Sequence, residues 1–270
     1  MEHLTRDRRS ALVTGASSGI GLAFAHVLAA EGYDLILTAR RVERLEQLAQ
    51  ELRNRHGIAV AVVPADLAAP HAVERLVHAI AQQELPIDVL VNNAGYGVPG
   101  AYAATTWAQQ SDFLQVMVVA LAELTHRLLP AMIERRWGRI INVASVAGLM
   151  PGVAGHTLYA ASKAFVIKFS ESLALETARH NVHVCASCPG FTLTEFHDVT
   201  GTRAQVSTMP KFMWLQADRV ARESYDAVMK GVPVYVPGRL YRTLVGVSRM
   251  MPQSLTLALM QRNAGKFRRL

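Results

Sequence analysis

Tyr159 and Lys163 stand four residues apart in the stretch Tyr159-Ala160-Ala161-Ser162-Lys163. On a helix that spacing puts a phenol and an ammonium on one face. The pair is then a proton donor with a cation beside it. A nearby cation favours phenolate, a form that an unperturbed phenol hardly populates near neutral pH. Such pairs also occur on ordinary amphipathic helices, so the chemistry depends on what the chain brings alongside. Ser145 closes a short apolar run, and its hydroxyl can hydrogen-bond a carbonyl or alcohol oxygen and hold it in line. Ser145, Tyr159 and Lys163 form the candidate catalytic trio. Ser145 and Tyr159 would also contact substrate.

A trio of this kind needs a redox partner, and the start of the chain offers a place for one. Residues 10–15 read as a short buried strand. Gly15, Gly19 and Gly21 follow, and then Ile20, Leu22, Phe24, Val27 and Leu28 repeat at helical spacing. Strand, glycine turn and helix open a dinucleotide fold. Glycines let the backbone approach a pyrophosphate, and the N–H groups at a helix start receive its charge. Small residues Ala16, Ser17 and Ser18 keep the turn compact. After a second strand at 33–39, Ala39 is followed by Arg40 and Arg41 rather than by the acidic residue that bonds ribose hydroxyls in NAD sites. Two arginines suit the extra 2′-phosphate of NADP. The alternative is that they only begin a solvated helix.

The remaining elements must position these groups. A helix is expected over about 41–55 and a third strand over 58–63, ending at Pro64-Ala65-Asp66-Leu67. Asp66 is placed to approach the adenine end of a cofactor, with a local turn as the alternative. A helix over 71–84, a strand over 87–92 and then Asn92-Asn93-Ala94-Gly95 come next. The small residues and amides there could line the cofactor or tie strands together. A long helix over 108–134 contains Pro130, a candidate kink. A fifth strand spans 139–144. The segment 146–158, rich in glycine, leads into the Tyr159 helix, with apolar positions Phe165, Phe169, Leu173 and Leu175. A strand over 182–187 breaks at Pro189-Gly190. A helix over 217–229 and a short strand over 232–236 complete the pattern. The alternation predicts an α/β Rossmann-like, doubly wound parallel sheet with helices on both faces, in a single domain.

These motifs, taken together, resemble the short-chain dehydrogenase/reductase family, in an NADP-preferring form. The resemblance covers about residues 8–238. It rests on Thr14-Gly15-Ala16-Ser17-Ser18-Gly19-Ile20-Gly21, Asp66, Asn92-Asn93-Ala94-Gly95, Ser145, Tyr159-x-x-x-Lys163 and Pro189-Gly190. It implies hydride transfer between a nicotinamide and a carbonyl or alcohol, with Tyr159 as general acid or base. Lys163 would also bind the nicotinamide ribose. The cofactor NADP(H) would be held by Gly15, Ser17, Ser18, Gly19, Ile20, Gly21, Arg40, Arg41, Asp66, Leu67, Asn93, Ala94 and Gly95, together with Tyr159, Lys163, Pro189, Gly190, Thr192 and Thr194. Of the last two, Thr194 is the better direct candidate, since Thr192 can cap a turn. The family often carries an asparagine in the long helix before the fifth strand, where it supports a proton relay to the lysine. Met117 stands at that position here, and a thioether cannot replace an amide donor.

Residues 191–215 are expected to form a substrate-binding lid. Leu149, Met150, Val153, Leu158, Phe191 and Phe196 could line an apolar pocket or equally pack the lid against the core; the first points to a hydrophobic ketone, alcohol or acyl-derived substrate rather than a sugar. His156, close to the motif, stays outside the trio. All 21 acidic residues precede residue 227, so the net charge of +7 resides in a basic, apolar C-terminal extension, 239–270. The preferred reading is packing on the site or on a partner subunit, and peripheral membrane contact is the alternative. No window has the length of a clean membrane span. No signal peptide, metal site or nucleic-acid module is evident. Cys185 and Cys188 fall in one apolar stretch and are expected to be reduced. A cytoplasmic homodimer or homotetramer is expected. The competing readings are a non-catalytic dinucleotide-binding regulator and a membrane-associated lipid or steroid reductase.

Overall fold

The computed structural model describes residues 8–83, 86–98, 100–152, 155, 157–196 and 210–251. Val153, His156, positions 197–209 of the expected lid and positions 252–270 of the extension lie outside the described residues. Strands β1 (Ser10–Thr14), β2 (Asp34–Thr38), β3 (Val60–Val62), β4 (Ile87–Asn92), β5 (Gly138–Val143) and β6 (Val182–Ser187) join one parallel sheet with β9 (Val234–Tyr235). Its order is β3-β2-β1-β4-β5-β6-β9. A separate two-stranded parallel ladder pairs β7 (Thr192–Leu193) with β8 (Leu215–Gln216).

The strands are apolar on both faces because helices cover both. In β1, Ala11 and Val13 join one core while Leu12 joins the other. In β2, Leu35 and Leu37 point one way and Ile36 the other. This is the near-continuous apolar signature of a doubly covered parallel sheet. Each fully buried leucine or isoleucine of this kind contributes about 1.5–3 kcal/mol. On the first face lie α1 (Gly19–Ala30), α2 (Val42–His56) and α7 (Ala217–Met229), through Phe24, Leu45, Leu52 and Val228. On the second lie α3 (Ala72–Ala81), α5 (Leu121–Glu134) and α6 (Thr157–Thr177), through Leu76, Leu124 and Leu173. The chain runs outward from β1 to β3 and returns to lay β4 on the other side of β1. The carboxyl ends of β1 and β4 therefore flank a switch point, the crevice where ligands bind in open α/β sheets.

The long helix departs from expectation. It begins as α4 (Trp107–Leu114), opened by a Thr106–Gln109 capping box, and passes through a π-helical turn, Gln115–Ala120, before α5. The helix continues through Pro130 to Glu134, so the irregularity sits at the π turn and not at the proline. Only four residues follow Pro130, so its missing N–H removes a bond close to an end. By length and composition Trp107–Glu134 could cross a membrane, contrary to the sequence reading. Its buried residues Phe113, Val116, Leu121 and Leu124 pack within the protein instead. Leu175, named among the apolar positions of the Tyr159 helix, is 82% exposed. The helix α8 (Arg239–Met250) follows Gly238 and returns to the site end of the sheet.

Candidate active site

Glycine geometry shapes the first wall. Gly15 and Gly19 have φ of 67° and 58°, the left-handed region where a side chain is strained. At Gly21 a Cβ would overlap the Gly15 carbonyl and the Asn93 amide. Ser18 holds the N-cap position of α1, yet its side chain makes no capping bond. Its hydroxyl instead receives the Arg41 guanidinium at 2.7 Å. The first N–H groups of α1 thus keep their pull on an anion.

Asn93 and Thr14 hold this turn against β4. The Asn93 amide donates to the carbonyls of Thr14, at 2.9 Å, and Gly15, at 3.3 Å. Thr14 Oγ1 accepts from the backbone N–H of Asn93 and of Ala94, both at 2.9 Å. The Asn93 amide thus ties β4 to β1, one of the two roles expected of this stretch. Asp66 is exposed, and its Oδ1 accepts from the Ala68 N–H in a local turn. Leu67 faces the second core, which leaves its backbone for a ligand. Ile20 packs between the first core and the small cluster around Leu215 and Tyr241.

Arg41 and Arg40 separate. Arg41 reaches the Ser17 hydroxyl with Nε at 3.2 Å and a terminal nitrogen at 3.1 Å, besides its bond to Ser18. Its other terminal nitrogen meets Glu195 at 2.8 Å. Arg40 is exposed, and its charge lowers the Tyr96 phenol pKa, against the larger raising effects of burial and Asp112.

The trio comes together where β5 ends. Ser145 leaves β5, and its hydroxyl accepts from the Ala147 N–H at 3.1 Å. Burial raises the Tyr159 phenol pKa more than the neighbouring Ser145 hydroxyl lowers it. Lys163, 7% exposed, donates to the Val143 carbonyl at 2.8 Å and lies 5.8 Å from the Tyr159 ring centre. Burial pulls its ammonium down to about 8, with the nearby Cys188 acting the other way. A close backbone approach makes the grouping compact: a Cβ on Gly148 would lie 2.6 Å from the Lys163 carbonyl carbon.

The segment after β6 closes the other side. Pro189 accepts from the Val146 N–H at 3.0 Å, linking it to the Ser145 loop. The Thr192 hydroxyl donates to the Gly190 carbonyl, the turn role expected as its alternative. Thr194 lies over the glycine turn, 3.1 Å from where a Gly19 Cβ would be. Phe196 places its ring centre 5.8 Å from that of Tyr159. A cleft beside Tyr159 is lined by Val98, Tyr102, Gln110, Phe113, Thr157 and Leu158. Among the described residues of the expected pocket, only Leu158 lines it. Leu149 packs in the core, and Phe191 meets Trp214 at 5.9 Å between ring centres.

Met117 is 2% exposed, on the π turn, with its sulfur packed against Gly95. No periodicity rule would mark that turn. Asn92 ties neighbouring strands, as one reading of its stretch expected: it donates to Asn142 and Thr125, while Asn142 donates to Ser170. The extension of that chain to Ser170 escaped the sequence reading, and so did Tyr241 of α8, whose ring stands against Gly190. Its hydroxyl accepts from the Phe191 N–H at 3.1 Å and donates to the Met213 carbonyl at 2.6 Å. Both depend on contacts across long sequence separations. Cys185 and Cys188 are buried free thiols.

Comparisons with known proteins agree with this geometry. The family model described as short chain dehydrogenase matches residues 9–205. A nodulation protein G of Rhizobium sp. (strain N33) is 44% identical over 183 residues, 68% of this chain and 73% of that protein. A putative ketoacyl reductase of Streptomyces coelicolor is 36% identical over 232 residues, 85% of each. A solved short-chain dehydrogenase from Sphingobium yanoikuyae, in complex with NADPH, superposes with a TM-score of 0.79 at 30% identity, covering 91% of this chain and 97% of that one.

Proposed function

This chain belongs to the short-chain dehydrogenase family, and from that premise we propose a division of labour among its site residues. The protein is an NADP(H)-dependent oxidoreductase acting on carbonyl and alcohol groups. The cradle suits the cofactor. Gly15 and Gly21 leave space that a Cβ would fill, the start of α1 keeps donors for a pyrophosphate, and Arg41 lies beside Ser17 and Ser18 for a 2′-phosphate. Gly95, Pro189, Gly190 and Thr194 would hold the nicotinamide half. When bound, the nicotinamide supplies or receives hydride at the substrate carbon.

The chain's own residues manage the oxygen and its proton. Ser145 holds the carbonyl oxygen in line with Tyr159. Burial keeps the phenol protonated, so Tyr159 serves as the acid in carbonyl reduction. Lys163 places positive charge beside the phenolate that forms. The observation that carries this reading is the buried grouping at the end of β5, with Lys163 Nζ 5.8 Å from the Tyr159 ring centre and the buried Ser145 beside the phenol. The substrate class is a hydrophobic ketone, alcohol or acyl-derived compound, supported by Leu158, Phe113 and Phe196 around Tyr159 and by the ketoacyl reductase relative. Residues 191–215 act as the substrate lid. A cytoplasmic homodimer or homotetramer fits the apolar residues left exposed on the second face, among them Val119, Phe165 and Leu175.

The test is NADPH oxidation with a carbonyl panel that includes apolar ketones and short acyl thioesters. Turnover by the wild type, lost by at least about 100-fold in Tyr159→Phe with cofactor binding kept, is expected. Tight cofactor binding with no Tyr159-dependent turnover would defeat the reading.

A further inference from the structure

Glu195 belongs to the segment that follows β6, between Thr194 over the glycine turn and Phe196 beside Tyr159. Its carboxylate reaches toward the start of α2. Oε2 accepts from Arg41 at 2.8 Å and Oε1 accepts from Arg44 at 2.7 Å. Two guanidiniums converging on one carboxylate form an anion seat. Arg41, with Arg44 next, holds the Glu195 carboxyl below its ordinary pKa. The same Arg41 also holds the hydroxyls of Ser17 and Ser18. The seat lies at the edge of the glycine turn, and the chain fills it with its own negative charge.

We propose that Glu195 is an internal competitor for the cofactor's 2′-phosphate at Arg41 and Arg44, and so a specificity-determining residue. The proposal rests on the reading that Arg41 receives that phosphate. A phosphate brings more charge and three acceptor oxygens, so it displaces a single carboxylate. A ribose with a bare 2′-hydroxyl offers no anion for the seat and leaves the ion pairs in place. Glu195 therefore reduces the preference for phosphorylated cofactor below what two arginines would give alone. Its displacement also acts on the neighbouring residues. Thr194 and Phe196 flank it, so filling the phosphate seat loosens a segment that reaches the catalytic phenol.

The experiment is calorimetric titration of the full chain with adenosine 2′,5′-bisphosphate and, as the control lacking the 2′-phosphate, 5′-AMP. The variants are Glu195→Gln, Glu195→Ala and Arg41→Ala, each checked for folding by thermal denaturation. Both Glu195 variants are expected to bind the bisphosphate about 3- to 10-fold more tightly, as two half-exposed ion pairs would give, with 5′-AMP changed less than about twofold. Arg41→Ala should weaken the bisphosphate selectively. Unchanged or weaker bisphosphate binding in both Glu195 variants, with Arg41→Ala still selective, overturns the proposal and leaves the cofactor reading standing. Unchanged binding of both the bisphosphate and 5′-AMP in Arg41→Ala overturns the proposal and the cofactor reading together.

Discussion

The ring of Tyr241 occupies the space that a side chain on residue 190 would need, and only glycine fits beneath it. From there the Tyr241 hydroxyl ties the Phe191 N–H to the Met213 carbonyl. It pins the two roots of the segment that β7 and β8 pair, Thr192 opposite Leu215. Tyr241→Phe keeps the ring and loses both bonds. It should cost about 1–2 kcal/mol of stability. KM for the carbonyl substrate should rise more than kcat falls, because the roots position the segment and do not touch the reacting atoms. Steady-state kinetics with a denaturation curve reads both; an equal loss in kcat alone would count against a positioning role.

Lys163 gives the site a pH signature. Its ammonium is pulled down to about 8 by burial, from an ordinary 10.5. As pH rises through 8 the charge beside Tyr159 is lost. The alkaline limb of kcat/KM for reduction should therefore fall near pH 8 and move upward in an active Lys163→Arg variant. Stability follows with a definite sign. Below pH 8 both folded and unfolded chains carry the proton, and burying it costs in full. Between 8 and 10.5 the unfolded chain binds more protons, so stability rises with pH, by about 3 kcal/mol in all from this group. Lys163→Met should abolish that rise in melting curves recorded from pH 7 to 10.5.

Met117→Asn brings an amide to the position where the family often has one. The thioether is buried against Gly95, so the change should cost about 2 kcal/mol of stability. If the proton route beyond Lys163 limits chemistry, single-turnover hydride transfer should become faster. An unchanged rate in a folded variant rejects that limit.

Gly148→Ala tests the close approach behind the trio. A Cβ there would lie 2.6 Å from the Lys163 carbonyl carbon, backbone against backbone. The Ser145 loop must shift away from α6. A fall in kcat of about 100-fold, with cofactor affinity nearly kept, is expected from a displacement near 1 Å. Normal turnover would show that the loop accommodates the methyl elsewhere.

Local chemistry made the sheet and the trio legible. Strands such as β4 and β6 were bounded by their own breakers, Pro86 before Ile87 and Pro189 after Cys188, and the glycine turn carried its own spacing. What escaped depends on distant partners. Asn93 reads equally as a cofactor-lining or a strand-tying residue until Thr14, 79 positions away, is seen to take its amide. Glu195 reads as a polar loop residue until Arg41, 154 positions away, is beside it. The π turn leaves no trace in an apolar run whose positions suit an α-helix equally well.

That turn has a consequence for how the protein can change. A π turn carries surplus backbone within an otherwise regular helix. Everything on its N-terminal side, Phe113 at the cleft included, is rotated relative to α5. Substitutions within Gln115–Ala120 alter chemistry one side chain at a time, whereas deleting one residue there would rewind the helix and swing the whole cleft wall around its axis. At this position chain length itself is a heritable control on pocket shape.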